Sequence, residues 1–209
     1  MLVNKSHTLD GGFSPDICEY KDTGVIMNSC ITQQFSHLSQ RIKDEYGETL
    51  YISSAYRTAE EQNNILAEQG SDTAMSAGAS EHQTGLALDV YTDGFAGKSF
   101  LKTDVGRLVN SECWKYGFII RYPLLKKSVT EIEYEPWHIR YVGMPHAEII
   151  SLEHITLEEY FESLEYGKFY TYDGYIISRQ QGDTLRIPDG SHTVISSDND
   201  GGCIITVKI

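Results

Sequence analysis

The chain has 209 residues, enough for one domain with a sizeable core and a small appendage. Its formal charge of −13 leaves no basic surplus to neutralise nucleic-acid phosphates or to dock on anionic lipid, and no stretch approaches the ~20 apolar residues that span a bilayer. A small neutral or zwitterionic ligand stays compatible, with no nucleic acid and no obligate protein partner expected.

Residues 1 to about 31 read as loop and short extended pieces, with turn signals at Gly11-Gly12, Ser14-Pro15-Asp16 and Asp22-Thr23-Gly24. The start Met1-Leu2-Val3-Asn4-Lys5 carries no secretory signal and, taken literally, points to the cytoplasm. Domain-like sequence nevertheless begins almost at once, which suits an upstream anchor lying outside this stretch. Thr32 is placed to cap a helix whose apolar positions Phe35, Leu38, Ile42 and Tyr46 follow helical spacing, ending at Gly47. Thr49–Ser54 reads as a strand, followed by Arg57 and a capping-box helix start at Thr58-Ala59-Glu60-Glu61, with a stop near Gly70. The small, polar run Ser71–Ser80 reads as a surface loop.

Gly85 permits a tight turn before a buried strand, Leu86–Tyr91. A loop marked by Asp93-Gly94 and Gly97 leads to a helix from about Lys102 to Tyr116, then a strand, Phe118–Tyr122, ended by Pro123. Trp137–Val142 is the next strand, Pro145 opens a short helix, and Leu157–Leu164 forms another. From Gly167 the texture changes to short β-rich runs (Phe169–Tyr172, Tyr175–Ser178, Leu185–Ile187, Thr193–Ile195, Cys203–Val207) separated by Asp-Gly and Gly-Gly turns, which predicts a small antiparallel sheet. The expected division is residues 1–164 and a β-rich extension, 165–209, with a soft boundary near Tyr166. The four cysteines are scattered without metal-ligand spacing; Cys113 reads as a buried thiol, and a Cys18–Cys30 bridge is weighed for an exported protein.

Two short stretches carry the chemistry: Ser80-Glu81-His82-Gln83-Thr84-Gly85-Leu86-Ala87-Leu88-Asp89 and Glu135-Pro136-Trp137-His138. Together they offer the donor set of a catalytic zinc, which takes three protein ligands and keeps one position open. His82, Asp89 and His138 would be the ligands, and Glu135 would be left to move protons. The spacing needs help from the backbone. A turn at Gly85 must fold His82 back towards Asp89, and Glu135 and His138 would face opposite sides of a regular strand, so Pro136 must make the entry irregular. Each residue also has a plain structural reading: a core histidine beside Trp137, a strand-end aspartate acting as a cap, a solvated glutamate. His7, His37, His146, His154 and His192 lack acidic or thiol neighbours at ligand spacing and read as structural or exposed.

The two motifs, Ser80-x-His82-x-x-Gly85-x-Ala87-x-Asp89 and Glu135-x-Trp137-His138, resemble those of the VanY-type D-alanyl-D-alanine carboxypeptidases, relatives of the VanX and VanXY dipeptidases. The similarity extends to Leu2-Val3-Asn4-Lys5, Ser54-Ala55-Tyr56-Arg57-Thr58, Gly117–Pro123 and Glu135–Gly143, covering roughly residues 1–164. Ala55 stands where many relatives carry Gly. The resemblance implies an α+β fold in which a central antiparallel sheet with flanking helices holds one zinc ion per chain, as in hedgehog-like domains, with the small C-terminal β appendage outside the match. It implies His82, Asp89 and His138 as ligands, Glu135 as catalytic base, Arg57 as a polarising or substrate-binding residue, Ser80 as substrate-binding, and Arg140 as support behind the metal. Arg121, like Arg140 on a strand, would orient carboxylates there.

The implied substrate is a peptidoglycan stem peptide or precursor ending in D-Ala-D-Ala, and the implied setting is the outer face of the bacterial membrane. Loss of the terminal residue would remove the target of glycopeptides. A dipeptidase or dual enzyme, an endolysin, and a non-enzymatic zinc-bound recognition domain are the alternatives. The last is disfavoured because Glu135 is present.

Overall fold

The computed structural model describes residues 1–69 and 75–209. The expected helix stop at Gly70 and the first part of the loop 71–80 lie outside the described residues. The fold is α+β with antiparallel sheets. A hairpin of β1 (Ile17–Glu19) and β2 (Ile26–Asn28) precedes α1 (Thr32–Tyr46), whose buried Phe35, Leu38 and Ile42 recur at helical spacing. Thr32 is the first helical residue rather than the cap, because a 3-10 turn over Ser29–Ile31 already leads into the helix. Gly47 ends α1 in the left-handed region.

Next come β3 (Tyr51–Ser54), α2 (Ala59–Gln69), β4 (Ala87–Tyr91), α3 (Asp104–Glu112), β5 (Phe118–Ile120), α4 (Lys127–Thr130) and β6 (His138–Tyr141). The predicted helix over 102–116 is divided: 3-10 turns at Gly97–Lys102 and Cys113–Tyr116 flank α3, which Thr103 caps through its side chain. The central sheet has the order β3-β4-β6-β5, antiparallel throughout. Strand alternation gives it two unlike faces. Leu88, Val90, Ile139 and Phe118 point into a core with the buried side chains of α1 and α3. Asp89, His138 and Arg140 point to the other face.

Beyond β6 lie α5 (His146–Leu152) and α6 (Leu157–Ser163), the latter held by a capping box between Thr156 and Glu159. The C-terminal strands β7 (Phe169–Tyr172), β8 (Tyr175–Gln181), β9 (His192–Ser197) and β10 (Gly202–Lys208) form a second antiparallel sheet, order β7-β8-β10-β9. Its Ile177 and Ile204 join Ile119, Ala147, Ile150, Leu157 and Phe161 in one apolar cluster, so packing crosses the position near Tyr166. Leu185–Ile187, expected as a strand, is not one. The Gln180 side chain takes the place of a ladder there, accepting from the Arg186 amide at 2.7 Å and donating to its carbonyl at 2.8 Å.

All four cysteines are free, and Cys113 is buried. The Cys18–Cys30 bridge does not form, because the hairpin register sets Cys18 opposite Met27. Among the described residues no helix is long and apolar enough to cross a membrane.

Candidate metal centre

Asp89 and His138 are direct cross-strand partners in β4 and β6, and their side chains meet with Oδ1 2.8 Å from Nδ1. His82 arrives from a 3-10 turn, Glu81–Thr84, that Gly85 ends at φ 67°. Only glycine fits at position 85, since a Cβ would lie 2.7 Å from the Asn28 amide nitrogen. The turn places His82 Nε2 3.3 Å from Asp89 Oδ2. One donor atom from each of the three residues lies within 4.8 Å of the others. Zinc–ligand bonds of about 2.0–2.2 Å at tetrahedral angles set donors roughly 3.4 Å apart, so this set suits zinc. The Nδ1 of His82 donates to the Ala55 carbonyl at 2.7 Å, which leaves its Nε2 lone pair free for a metal.

Glu135 reaches the same point by the irregular entry the sequence called for. The His138 amide donates to the Glu135 carbonyl at 3.1 Å, closing a turn with Pro136 at its second position. The Glu135 carboxylate thereby comes within 3.8 Å of His138 Nδ1 instead of facing away. Burial pushes its carboxyl above the ordinary value and Asp89 adds to this, against the pull of His138 and Arg57. Burial also works against charge on His138, but the Asp89 carboxylate more than offsets it and holds the metal-free imidazole up at about 9.

Arg57 lies just past β3 with Nη2 4.0 Å from Asp89 Oδ2. Glu61 completes the capping box of α2 with Thr58. Arg57 Nη1 donates to Gln62 Oε1 at 3.0 Å, and the buried Gln62 amide donates to the Met75 carbonyl at 2.7 Å. Ser80 is buried at the start of the turn that carries His82.

Behind the three clustered donors, Arg121 and Arg140 meet one carboxylate, that of Glu81, to which the motifs assign no role. Glu81 Oε1 accepts from Arg121 Nε at 2.7 Å and pairs with Arg140 Nη1 at 2.8 Å. Arg121 then forks onto Glu158 of α6, at 2.8 and 2.5 Å. Burial alone would raise the Glu81 carboxyl, yet the two guanidinium groups hold it well below the usual range. Tyr122 likewise has no role assigned; its ring lies 4.9 Å from that of His138. The signal for Glu81 was its place beside a ligand; Gln62 and Tyr122 offered none of that kind. A cavity of about 570 Å³ lies away from the three clustered donors, between β6, α5 and the C-terminal sheet. The convergent polar side chains, not cavity size, mark the functional centre.

The family described as VanY, D-alanyl-D-alanine carboxypeptidase, matches residues 25–144. A D-alanyl-D-alanine carboxypeptidase of Enterococcus faecium is 36% identical over 196 residues, covering 89% of this chain; the chain spans 63% of that relative's length. The bifunctional D-Ala-D-Ala dipeptidase and carboxypeptidase VanXYC of Enterococcus gallinarum is 34% identical, over 78% of this chain and 93% of its own. Among solved structures, the LD-carboxypeptidase LdcB aligns with a TM-score of 0.71 at 35% identity, over 78% of this chain and 86% of its own. A VanY variant from a VanB-type resistance cassette, in complex with Zn(II), gives 0.69 at 29%, over 77% and 97%. The D,D-dipeptidase VanXYg gives 0.82 at 25%, over 100% of this chain and 93% of its own.

Proposed function

Because the chain belongs to the VanY family of D-alanyl-D-alanine carboxypeptidases, we propose that it is a zinc-dependent carboxypeptidase of peptidoglycan stem peptides or their precursors, releasing the terminal residue of D-Ala-D-Ala. The observation that carries the reading is the convergence of His82, Asp89 and His138 with a fourth, partly buried acid, Glu135, 3.8 Å from His138. Three ligands plus an independent proton carrier is what metal-assisted hydrolysis requires.

His82 Nε2, Asp89 and His138 Nδ1 would hold the zinc. When bound, it acidifies water and polarises the scissile carbonyl. Glu135 Oε2 takes the proton from the attacking water and returns it to the leaving amine. Arg57 is fixed by Gln62 so that its charge faces the ligand cluster, where it receives a developing oxyanion or the substrate's terminal carboxylate. Ser80, at the start of the His82 turn, is assigned to substrate binding.

A dipeptidase or dual activity is the second reading. It is favoured by the alignment with VanXYg, which extends over the whole of this chain, the C-terminal sheet included, where the VanY and LdcB alignments cover 77% and 78%. The test is release of D-alanine by zinc-loaded protein from three substrates: free D-Ala-D-Ala, a pentapeptide ending in D-Ala-D-Ala, and a tetrapeptide ending in L-Lys-D-Ala. Cleavage of the pentapeptide alone supports the lead reading, and comparable cleavage of the first two supports dual activity. Preference for the tetrapeptide overturns both in favour of an L,D-carboxypeptidase. Release from none removes the carboxypeptidase assignment.

A further inference from the structure

We propose that Glu81 is a positioning residue that fixes the tautomer and orientation of His138, and so decides which nitrogen that histidine offers to a metal. The proposal rests on His82, Asp89 and His138 being a zinc centre. His138 Nδ1 faces Asp89 and Glu135, whereas Nε2 points the other way, is fully buried, and has no hydrogen-bond partner. The group it faces is Glu81 Oε2, 3.9 Å away, itself buried and without a partner. Both arginines use the other carboxylate oxygen, Oε1, so Oε2 is left to receive one N–H. A proton held on Nε2 by this carboxylate leaves the Nδ1 lone pair directed at the cluster.

His82 has the complementary arrangement. The Ala55 carbonyl holds the proton on Nδ1 and frees Nε2. The two imidazoles therefore offer opposite nitrogens, one set by backbone and the other by a buried acid. Glu81 does not itself touch the cluster, but its position is tightly determined. Arg121 anchors to Glu158, and Arg140 donates to the carbonyls of Tyr141 and Met1 at 3.1 and 2.9 Å. A buried carboxylate needs such cationic partners to remain ionised.

Glu81→Gln separates positioning from packing. Glutamine has nearly the same shape but one acceptor oxygen, which the two guanidinium groups claim. Its NH₂ then faces His138 Nε2 as a donor and drives the imidazole proton onto Nδ1, the atom that should ligate. We expect zinc to bind about 10–100-fold more weakly in chelator competition, the range seen when such outer partners are lost. The metal-free variant and the metal-free wild type should both melt in one cooperative step.

The direct readout is NMR of the cadmium-substituted protein with isotope-labelled metal and histidine nitrogens. In wild type, cadmium coupling should appear at His138 Nδ1 and His82 Nε2, with an exchange-protected proton on His138 Nε2. Coupling at His138 Nε2, or a freely exchanging Nε2–H, would overturn the proposal even if the variant does not fold. So would unchanged zinc affinity in a folded Glu81→Gln protein. Failure of wild type to bind one metal ion per chain would instead remove the underlying zinc reading.

Discussion

Replacing Glu135 by Gln tests the division of labour at the centre. Glu135 is not one of the three clustered donors, and its backbone role survives the change: the turn is closed by the Glu135 carbonyl, not its side chain. The substitution is nearly isosteric, so it removes one capacity, that of accepting and returning a proton at Oε2. Loss of a positioned general base typically costs about a hundredfold to ten-thousandfold in rate, or roughly 3–5 kcal/mol of barrier. The lower part of that range is expected, because the carboxylate is only partly buried beside His138 and bulk water can substitute for it in part. The assay pairs D-alanine release with metal content after gel filtration. The expected result is one zinc per chain with turnover down at least a hundredfold. A zinc-loaded Glu135→Gln protein within tenfold of native activity would refute the assignment of the base, and loss of zinc together with activity would refute the ligand set.

Arg57→Lys keeps a charge but loses the fork that reaches Gln62 and the cluster together, so kcat/KM should fall roughly ten- to a hundredfold, the worth of one charge-assisted hydrogen bond. Equal activity would remove Arg57 from the site. The stabilisation that His138 gives the metal-free protein should fall as pH rises from 6.5 towards 9, because His138, held up at about 9 by Asp89 with Glu81 and Glu135, gives a contribution complete below 6.5 and gone above 9. The full effect is about 3 kcal/mol. His82, which burial depresses, and the buried Met1 amine, held down to about 5, have the opposite sign, so the test is the gap in urea midpoint between metal-free wild type and His138→Gln, which should close from pH 6.5 to 9. A gap that does not change with pH would contradict the histidine–aspartate geometry. Ile204→Ala should cost about 2–5 kcal/mol of unfolding free energy, since this β10 side chain is buried against α5 and α6. A change within 0.5 kcal/mol, the usual spread for surface substitutions, would mean that the two parts of the chain do not share a core.

The elements that periodicity predicts best are those whose local pattern and tertiary burial agree. Helix α1 shows Phe35, Leu38 and Ile42 buried on one face and Gly47 at its end, and the capping box before α2 forms between Thr58 and Glu61. Disagreement arises where a side chain replaces backbone pairing. Leu185–Ile187 has strand composition, but the Gln180 amide satisfies Arg186, a contact six residues away that no alternation pattern encodes. The division of the predicted 102–116 helix has a similar origin. Thr103 caps α3 only after a separate 3-10 turn has ended, and Gly106 packs against the Phe100 backbone too closely for any side chain.

At the centre, legibility divides along the same line. His82, Asp89, Glu135 and His138 were accessible because their motifs carry the backbone devices that make them converge: Gly85 with no room for a Cβ, and Pro136 closing the turn into β6. Their support was not accessible in this way. Glu81 meets Arg121 across 40 residues and Arg121 meets Glu158 across 37. The resemblance assigns Arg121 and Arg140 a supporting role, but their partners Glu81 and Glu158, taken alone along the chain, read as solvated residues. Only the sheet order β4-β6-β5, which sets Arg140 and Arg121 side by side over the 3-10 turn, turns four dispersed charges into one buried array. Buried charges are costly unless mutually satisfied, so this array constrains the fold, and it does so directly behind His138. The reactive face of such a site can therefore be named from two short motifs, while the part that holds its geometry depends on the whole topology.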